Sequence, residues 1–366
     1  MKKVIHVFPA YKIGGGPISV LRLIENSQDL YKHYVIGLKQ DEELYDEFKN
    51  KAAKSFNIDI TKFTANSTLM LIKAIKEIEP DIVHAHGKGA AFFVFICILI
   101  NRKRFKFYYT MHGFHKRWKY VKWYLYLFFE KLLSLKTDKH ISVSMSEYNY
   151  YKLTTRIKEH KLTCIPNGIK VTKELPPEKL AKIVEQHQYN IVSLSRISFQ
   201  KDLETMLLSF KQIIKKQNVA LHIIGGFMEG DIKYKDTINQ LIISLGIKDY
   251  VFLWGDIKNA GNLIYYFNLY WSTAIFEGLP TAIIESFQNK TIVVATNCQG
   301  NIDLVENGKT GFLTNIKDID SNAKAIVKAI NLKNEKKLEI IENAYRVGQK
   351  YSIQNCISRI RILYES

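Results

Sequence analysis

The stretch Phe276-Glu277-Gly278-Leu279-Pro280-Thr281-Ala282-Ile283-Ile284-Glu285 decides the reading of this chain. Two carboxylates, Glu277 and Glu285, enclose seven residues that read as a loop running into a helix. Pro280 suits the first turn of a helix, where its missing N–H goes unneeded. Ala282-Ile283-Ile284-Glu285-Ser286-Phe287 then reads as the start of a buried helix. Backbone N–H groups at such a start have no intrahelical acceptor and attract anions. A carboxylate before the helix and another in its first turn are placed to hold a polar ligand from two sides. The same spacing also fits two carboxylates that cap the helix and complement its dipole.

Upstream of that stretch, Asn190-Ile191-Val192-Ser193-Leu194-Ser195-Arg196 is a strand, followed by a short loop and a helix over 203–214. Arg196 and Lys201 put two cations at this strand-to-helix loop, placed to neutralise an anion whose charge grows during a reaction. A surface ion pair is the alternative. Residues 220–226 form a strand ending in Gly225-Gly226, a further loop on the ligand side, and 269–274 form the strand that leads into the central stretch. Downstream, 291–296 is a strand, and Glu306-Asn307-Gly308-Lys309-Thr310-Gly311-Phe312-Leu313 a turn and strand. Asp318-Ile319-Asp320 has the spacing of a metal-binding Asp pair, but it precedes a helix, where Asp320 or Ser321 is expected as the N-cap. No other metal spacing is visible, so no metal site is expected.

The first half repeats the strand-loop-helix plan. Residues 4–8 read as a strand, followed by Gly14-Gly15-Gly16-Pro17 and apolar positions at helical spacing from Ile18. That order lets backbone amides approach a phosphate closely, although a tight turn explains the glycines as well. Two further strands end alike, in Val83-His84-Ala85-His86-Gly87 and in Tyr109-Thr110-Met111-His112-Gly113. They place His86 and His112 at the C-terminal edge of a parallel sheet, where α/β proteins bind ligands. His84 is expected to alternate to the other face and to serve packing. Cys164-Ile165-Pro166-Asn167-Gly168-Ile169 closes this half with a sharp bend.

With 366 residues and 47% hydrophobic content the chain fits two globular domains. Cys97, Cys164, Cys298 and Cys356 show neither a redox nor a zinc spacing and read as thiols in a reducing compartment. The opening Met1-Lys2-Lys3 and its short apolar run read as a first strand rather than a signal peptide. No apolar run reaches membrane-spanning length, and the eleven apolar residues 90–100 read as a core helix. The net charge is +18, and residues 101–161 hold 15 Lys+Arg against 4 Asp+Glu. Within them, Lys116-Arg117-Trp118-Lys119-Tyr120-Val121-Lys122-Trp123-Tyr124-Leu125-Tyr126-Leu127-Phe128-Phe129 interleaves aromatics with cations over nearly four helical turns. Residues 101–136 are therefore expected to form an anionic-membrane surface, the alternative being a core-facing helix with a solvated basic face. The charge also admits a nucleic-acid partner, but no nucleic-acid motif accompanies it, and none is expected.

Taken in order, these motifs resemble those of the retaining glycosyltransferases of the GT-B fold, family 4. The likeness covers essentially the whole chain and is strongest over 190–315. It rests on the Glu-x7-Glu stretch, the Arg196–Lys201 pair, the glycine loop, the two His-Gly strand ends and Pro-Asn-Gly. Ser195 stands where the family commonly has glycine, and Gln288-Asn289-Lys290 departs from its usual helix end. The resemblance implies an α/β fold of two facing Rossmann-like domains, 1–168 and 169–349, with an interdomain cleft and a terminal helix at 350–366 packing back on the first. It implies a nucleotide-sugar donor, with UDP-sugar favoured, and no metal or other cofactor. Glu277 would contact the donor sugar and Glu285 the ribose, with Gly278, Leu279, Pro280, Thr281 and Gly226 lining the donor site. Gly15 and Gly16 would lie by the diphosphate, Arg196 and Lys201 would neutralise it, His112 would approach the transferred sugar, and His86 would lie on the acceptor side. The expected reaction moves the sugar, with retention, to a membrane-associated glycan or lipid-linked acceptor in bacterial surface polysaccharide synthesis. The enzyme would be cytoplasmic and peripheral at the inner face of the plasma membrane. A nucleotide-sugar epimerase on the same fold is the competing reading.

Overall fold

The computed structural model describes residues 1–100, 104–114, 121–215, 217–227 and 229–366. They divide into two compact units, Met1–Ile169 with Ser352–Ser366, and Lys170–Tyr351. Each is built on one parallel sheet flanked by helices.

In the first unit the strands are β1 (Lys2–Tyr11), β2 (Tyr31–Lys39), β3 (Lys54–Asn57), β4 (Ile82–His86), β5 (Lys106–Thr110), β6 (Lys139–Ser142) and β7 (Leu162–Cys164). Their order in the sheet is β3-β2-β1-β4-β5-β6-β7. A wholly parallel sheet has both faces covered by crossover helices, which is why β4 is buried at every residue. Helix Lys88–Ile100 lies in the core as the sequence indicates. Helix Ile353–Glu365 also belongs to this unit and packs Ile360, Leu363 and Tyr364 against Val4, Ile82 and Tyr108. Gly168 of the Pro-Asn-Gly turn is required there for close approach. A Cβ on it would lie 2.7 Å from the Cys356 Cβ and 2.8 Å from the Ile353 Cα.

In the second unit the strands are β8 (Tyr189–Leu194), β9 (Val219–Ile224), β10 (Val251–Gly255), β11 (Leu269–Ser272), β12 (Ile292–Thr296) and β13 (Phe312–Thr314), in the order β10-β9-β8-β11-β12-β13. Trp271 of β11 is fully buried, and its indole N–H donates to Asn322 Oδ1 at 3.0 Å.

Both sheets reverse direction of growth at one strand pair, β1 beside β4 and β8 beside β11. Loops leaving the C-terminal ends of such a pair diverge to opposite faces and open a crevice. The loops at these points are Lys12–Gly14 and Gly87 in the first unit, and 195–202 and 273–280 in the second. The Glu277–Glu285 stretch, the Arg196–Lys201 pair and the glycine turn sit on them or begin the helices that follow, while the His112 turn follows β5 and Gly226 follows β9.

Several local expectations need correction. His84 and His86 are two residues apart in one strand, so a period of two puts them on the same face, and their rings stack at 4.1 Å. Helix Thr281–Gln288 starts one residue later than Pro280 suggests, so Glu285 lies in its second turn. Asp318, rather than Asp320 or Ser321, caps helix Ile319–Ile330, accepting from the Ser321 amide at 2.9 Å. Residues 101–103 and 115–120 of the expected membrane surface lie outside the described residues. The described helix there, Val121–Lys136, buries Trp123, Glu130 and Leu133 and exposes Val121, Tyr124, Leu125, Phe128 and Leu135. Among the described residues no helix is long and apolar enough to cross a membrane.

Candidate active site

The loops after β8 and β11 are strapped together. The Ile275 amide donates to the Gln200 carbonyl (2.9 Å), the Gln200 side-chain amide to the Phe276 carbonyl (2.8 Å), and the Thr273 hydroxyl to the Lys201 carbonyl (2.8 Å). The strap carries Lys201 to Glu277, where Nζ lies 2.5 Å from Oε1 in a pair that is only 19% and 12% exposed. Glu277 is fixed from a third side, because its amide donates to the Gln299 carbonyl (3.0 Å). The adjoining Gly300 has φ 87, and a Cβ there would meet the Glu277 carbonyl oxygen at 2.8 Å. A side chain is thus excluded both by backbone conformation and by space.

Beyond Glu277 the chain runs through half-buried Gly278 and buried Leu279 and Pro280 into helix Thr281–Gln288. The Pro280 carbonyl accepts from the Ile283 amide (3.0 Å). The amides of Gly278, Leu279, Thr281 and Ala282 have no acceptor among the described residues. Four unspent donors beside a lysine form a local positive field suited to an anion. Glu285 is buried, its carboxylate set against Gly261, where a Cβ would collide with it. Arg196 is exposed on the loop after β8. Gly226 does not offer its amide to a ligand as its loop position suggested, because that N–H donates to Asp256 Oδ1 at 2.7 Å. Its carbonyl accepts from the Ile197 amide (2.8 Å), so Gly226 shapes the Arg196 loop.

In the first unit the helix after β1 begins at Gly15, three residues earlier than its apolar spacing indicates, with Gly14 as cap. Gly15 and Gly16 thus form its first turn, and their amides have no acceptor among the described residues. A Cβ on Gly16 would touch His112 Cδ2 at 3.9 Å, so the glycine turn and the turn after β5 are neighbours. His112 holds the left-handed conformation, φ 53. This strained turn is clamped by a residue that sequence reading missed. Glu147 is buried, and its Oε1 accepts from the amides of Gly113 and Phe114 (2.6 Å each) while Oε2 accepts from Val143 (2.8 Å). Ser144-x-x-Glu147 has the form of a capping box, which signals the helix start but not where the carboxylate reaches.

His86 has both ring nitrogens occupied, Nδ1 3.2 Å from His112 Nε2 and Nε2 3.1 Å from His6 Nδ1. It stands behind His112 and offers no free nitrogen to an acceptor. His84 likewise bonds Tyr364 Oη (2.6 Å) and Thr110 Oγ1 (2.7 Å). Burial pushes His84 down to about 3 and His112 to about 4, and it holds His6 and His86 well below the usual imidazole range. All four are therefore neutral near pH 7. His6, His84 and His86 are near enough to share an ion, with ligand atoms within 4.8 Å, but every one of their ring nitrogens is already hydrogen-bonded.

Two family models match consecutive parts of the chain: Glycosyltransferase Family 4 over residues 13–173 and Glycosyl transferases group 1 over 177–347. This chain belongs to the group 1 glycosyltransferases of the GT-B fold. Relatives of this transferase include the capsular polysaccharide biosynthesis glycosyltransferase CapM of Staphylococcus aureus, 26% identical over 91% of this chain and 84% of that one. Another is the Escherichia coli UDP-Gal:alpha-D-GlcNAc-diphosphoundecaprenol alpha-1,3-galactosyltransferase, 25% identical over 84% of this chain and 81% of its own. In fold, the glycosyltransferase resembles Anabaena HepE, solved with UDP and glucose, with a TM-score of 0.87 over 100% of both chains at 18% identity. The relatives place it among enzymes of bacterial surface glycan synthesis.

Proposed function

We propose that this glycosyltransferase moves a sugar from a UDP-sugar, with retention and without a metal ion, to a lipid-linked or membrane-bound glycan. The observation that carries the donor half of this reading is the Lys201–Glu277 pair, strapped between two loops beside four unspent amides. As the bond between the anomeric carbon and the phosphate oxygen breaks, its electron pair leaves with the diphosphate. Lys201, Arg196 and the helix N-termini at Gly15–Gly16 and Thr281–Ala282 are suited to take up that charge, which a metal would otherwise neutralise. Glu277 contacts the donor sugar, Glu285 the ribose hydroxyls, and His112 lies near the transferred sugar. The leaving phosphate oxygen takes the acceptor hydroxyl's proton while the acceptor oxygen bonds to the same face of the anomeric carbon, so no protein nucleophile is needed. UDP is favoured because the Escherichia coli relative's name specifies UDP-Gal and HepE was solved with UDP.

The acceptor half draws on the exposed apolar stripe of helix Val121–Lys136. Val121, Tyr124, Leu125 and Phe128 follow helical spacing on an outward face, with Lys122 beside them. An interfacial helix presents such a face to lipid, and the excess of cations over 101–161 adds attraction to anionic head groups. The enzyme thus works at the inner face of the plasma membrane.

The test is thermal stability with UDP, GDP or ADP in EDTA, for the wild type and Glu285→Ala. Stabilisation by UDP alone, lost in the variant, is expected. Stabilisation by UDP only when a divalent cation is restored overturns metal independence, and stabilisation by no nucleotide overturns the donor site. Flotation with vesicles rich in anionic lipid, reduced in Tyr124→Glu/Phe128→Glu, checks the membrane half.

A further inference from the structure

We propose that a chain of buried imidazoles fixes the tautomer of His112 from the far side of the unit. The chain runs through His86, His6 and His33 to Ser27, and it leaves His112 with a bare Nδ1 lone pair. The group that His112 takes from a substrate is then a hydroxyl, not a phosphate oxygen or a carbonyl. This rests on the reading of His112 as the residue beside the transferred sugar.

The argument starts at Ser27, just past helix Gly15–Glu25. Its hydroxyl donates to the Leu23 carbonyl at 2.6 Å, one of the carbonyls that the helix end leaves unpaired. A hydroxyl has one hydrogen, so toward His33 Nε2, 3.0 Å away, the same oxygen is an acceptor. The Ser27 carbonyl, 3.4 Å from that nitrogen, is also an acceptor. Both require the proton of His33 on Nε2. A neutral imidazole carries one N–H, so His33 Nδ1 is a lone pair and accepts from His6 Nε2 at 3.0 Å. His6 Nδ1 then accepts from His86 Nε2 at 3.1 Å, and His86 Nδ1 from His112 Nε2 at 3.2 Å. Neutrality of every link follows from burial, which pushes His33 and His112 down to about 4 and holds His6 and His86 well below the usual imidazole range. At the end of the chain Nδ1 of His112 makes no hydrogen bond with a described residue. The Glu147 clamp on Gly113 and Phe114 fixes the backbone that aims the ring. His84, stacked on His86, is outside the chain because Tyr364 and Thr110 occupy its nitrogens.

Long-range proton–nitrogen NMR of the full chain, labelled with nitrogen-15 in histidine, reads each tautomer directly. At pH 7.5 His6, His33, His86 and His112 are all expected as neutral Nε2–H rings. A Nδ1–H ring, a cationic ring or a metal-bound pattern at any of the four overturns the proposal. In His33→Leu the far acceptor is gone, and the chain loses its reason to point one way. His112 is then expected to show both tautomers, with kcat down about tenfold to a hundredfold at unchanged donor KM. An unchanged His112 tautomer in the folded variant is contrary evidence that overturns the chain, and if the variant does not fold the wild-type spectrum decides. Transfer by His112→Ala separates the two readings. Full activity there with the four wild-type tautomers as expected removes His112 from the substrate and leaves the chain standing. Lost activity with scrambled tautomers does the reverse.

Discussion

The loops after β8 and β11 together carry a charged pair at a half-buried surface, whereas the turn after β5 carries a neutral histidine backed by more neutral histidines. Both lie on the ligand side of a parallel sheet near its reversal point, and both hold one polar side chain in place. The second unit does this with main-chain hydrogen bonds between loops, which bring Lys201 and Glu277 together as a charged pair. The first unit does it with side chains in the core, where an ion is costly to bury, so its imidazoles stay neutral. The difference teaches that position in the fold and type of chemistry are set separately. Topology chooses the sheet edge, and depth of burial then decides whether the groups there act as charges or as hydrogen-bond partners.

The comparison is most directly broken at Glu277. Glu277→Gln keeps the shape but not the charge facing Lys201, and sugar transfer is expected to fall by on the order of 10²–10³-fold in kcat. An unchanged kcat in a transfer assay puts the charged loop outside the chemistry.

Acid sharpens the contrast. Burial pushes His33 and His112 down to about 4, and His84 and His140 to about 3, all in the first unit, against His222 alone among the described residues of the second. A histidine lowered in the folded state takes up its proton more readily when unfolded. Its contribution is complete above the unfolded value near 6.5 and is lost as pH falls from there toward 4 or 3. By pH 4 each such histidine has withdrawn on the order of 3 kcal/mol of stability. The first unit is therefore expected to open before the second between pH 6 and 4, as hydrogen exchange resolved by peptide can follow. Simultaneous opening would remove the distinction.

Glu147→Gln should cost about 1–3 kcal/mol in denaturant unfolding, since a buried carboxylate that accepts three amides becomes a group with one acceptor oxygen. The smallest effects compare two glycines. Gly168→Ala forces its methyl into Cys356 and Ile353 and is expected to lose about 1–3 kcal/mol. Gly15→Ala meets nothing within 4 Å, so its melting temperature should stay or rise slightly, while UDP-sugar affinity weakens if that amide faces the diphosphate.

Much of the site was legible beforehand because strand, loop and helix follow from local pattern. The Glu277–Glu285 stretch, the Arg196–Lys201 loop, the glycine turn and both His-Gly ends were located from residue types and spacing. Less legible were contacts joining residues far apart in sequence. His6 was read as part of the strand over 4–8, and nothing local says that a ring at position 6 meets one at 33 or at 86. Gly226 does follow its strand as read, but Asp256, thirty residues on, takes its amide. The face of His84 was legible from the period of two and was misjudged.

By itself the sequence determined the alternation of strands and helices, hence two parallel α/β units, and which residues stand at the ends of which strands. Those are consequences of backbone periodicity and turn chemistry, which act over a few residues. Tertiary structure alone decided that Lys201 meets Glu277, that Glu147 clamps the His112 turn and that four imidazoles join into one chain. Each is a hydrogen bond or ion pair between separate strands, loops or helices, and only the order of strands in the folded sheet brings its two ends within 3.2 Å.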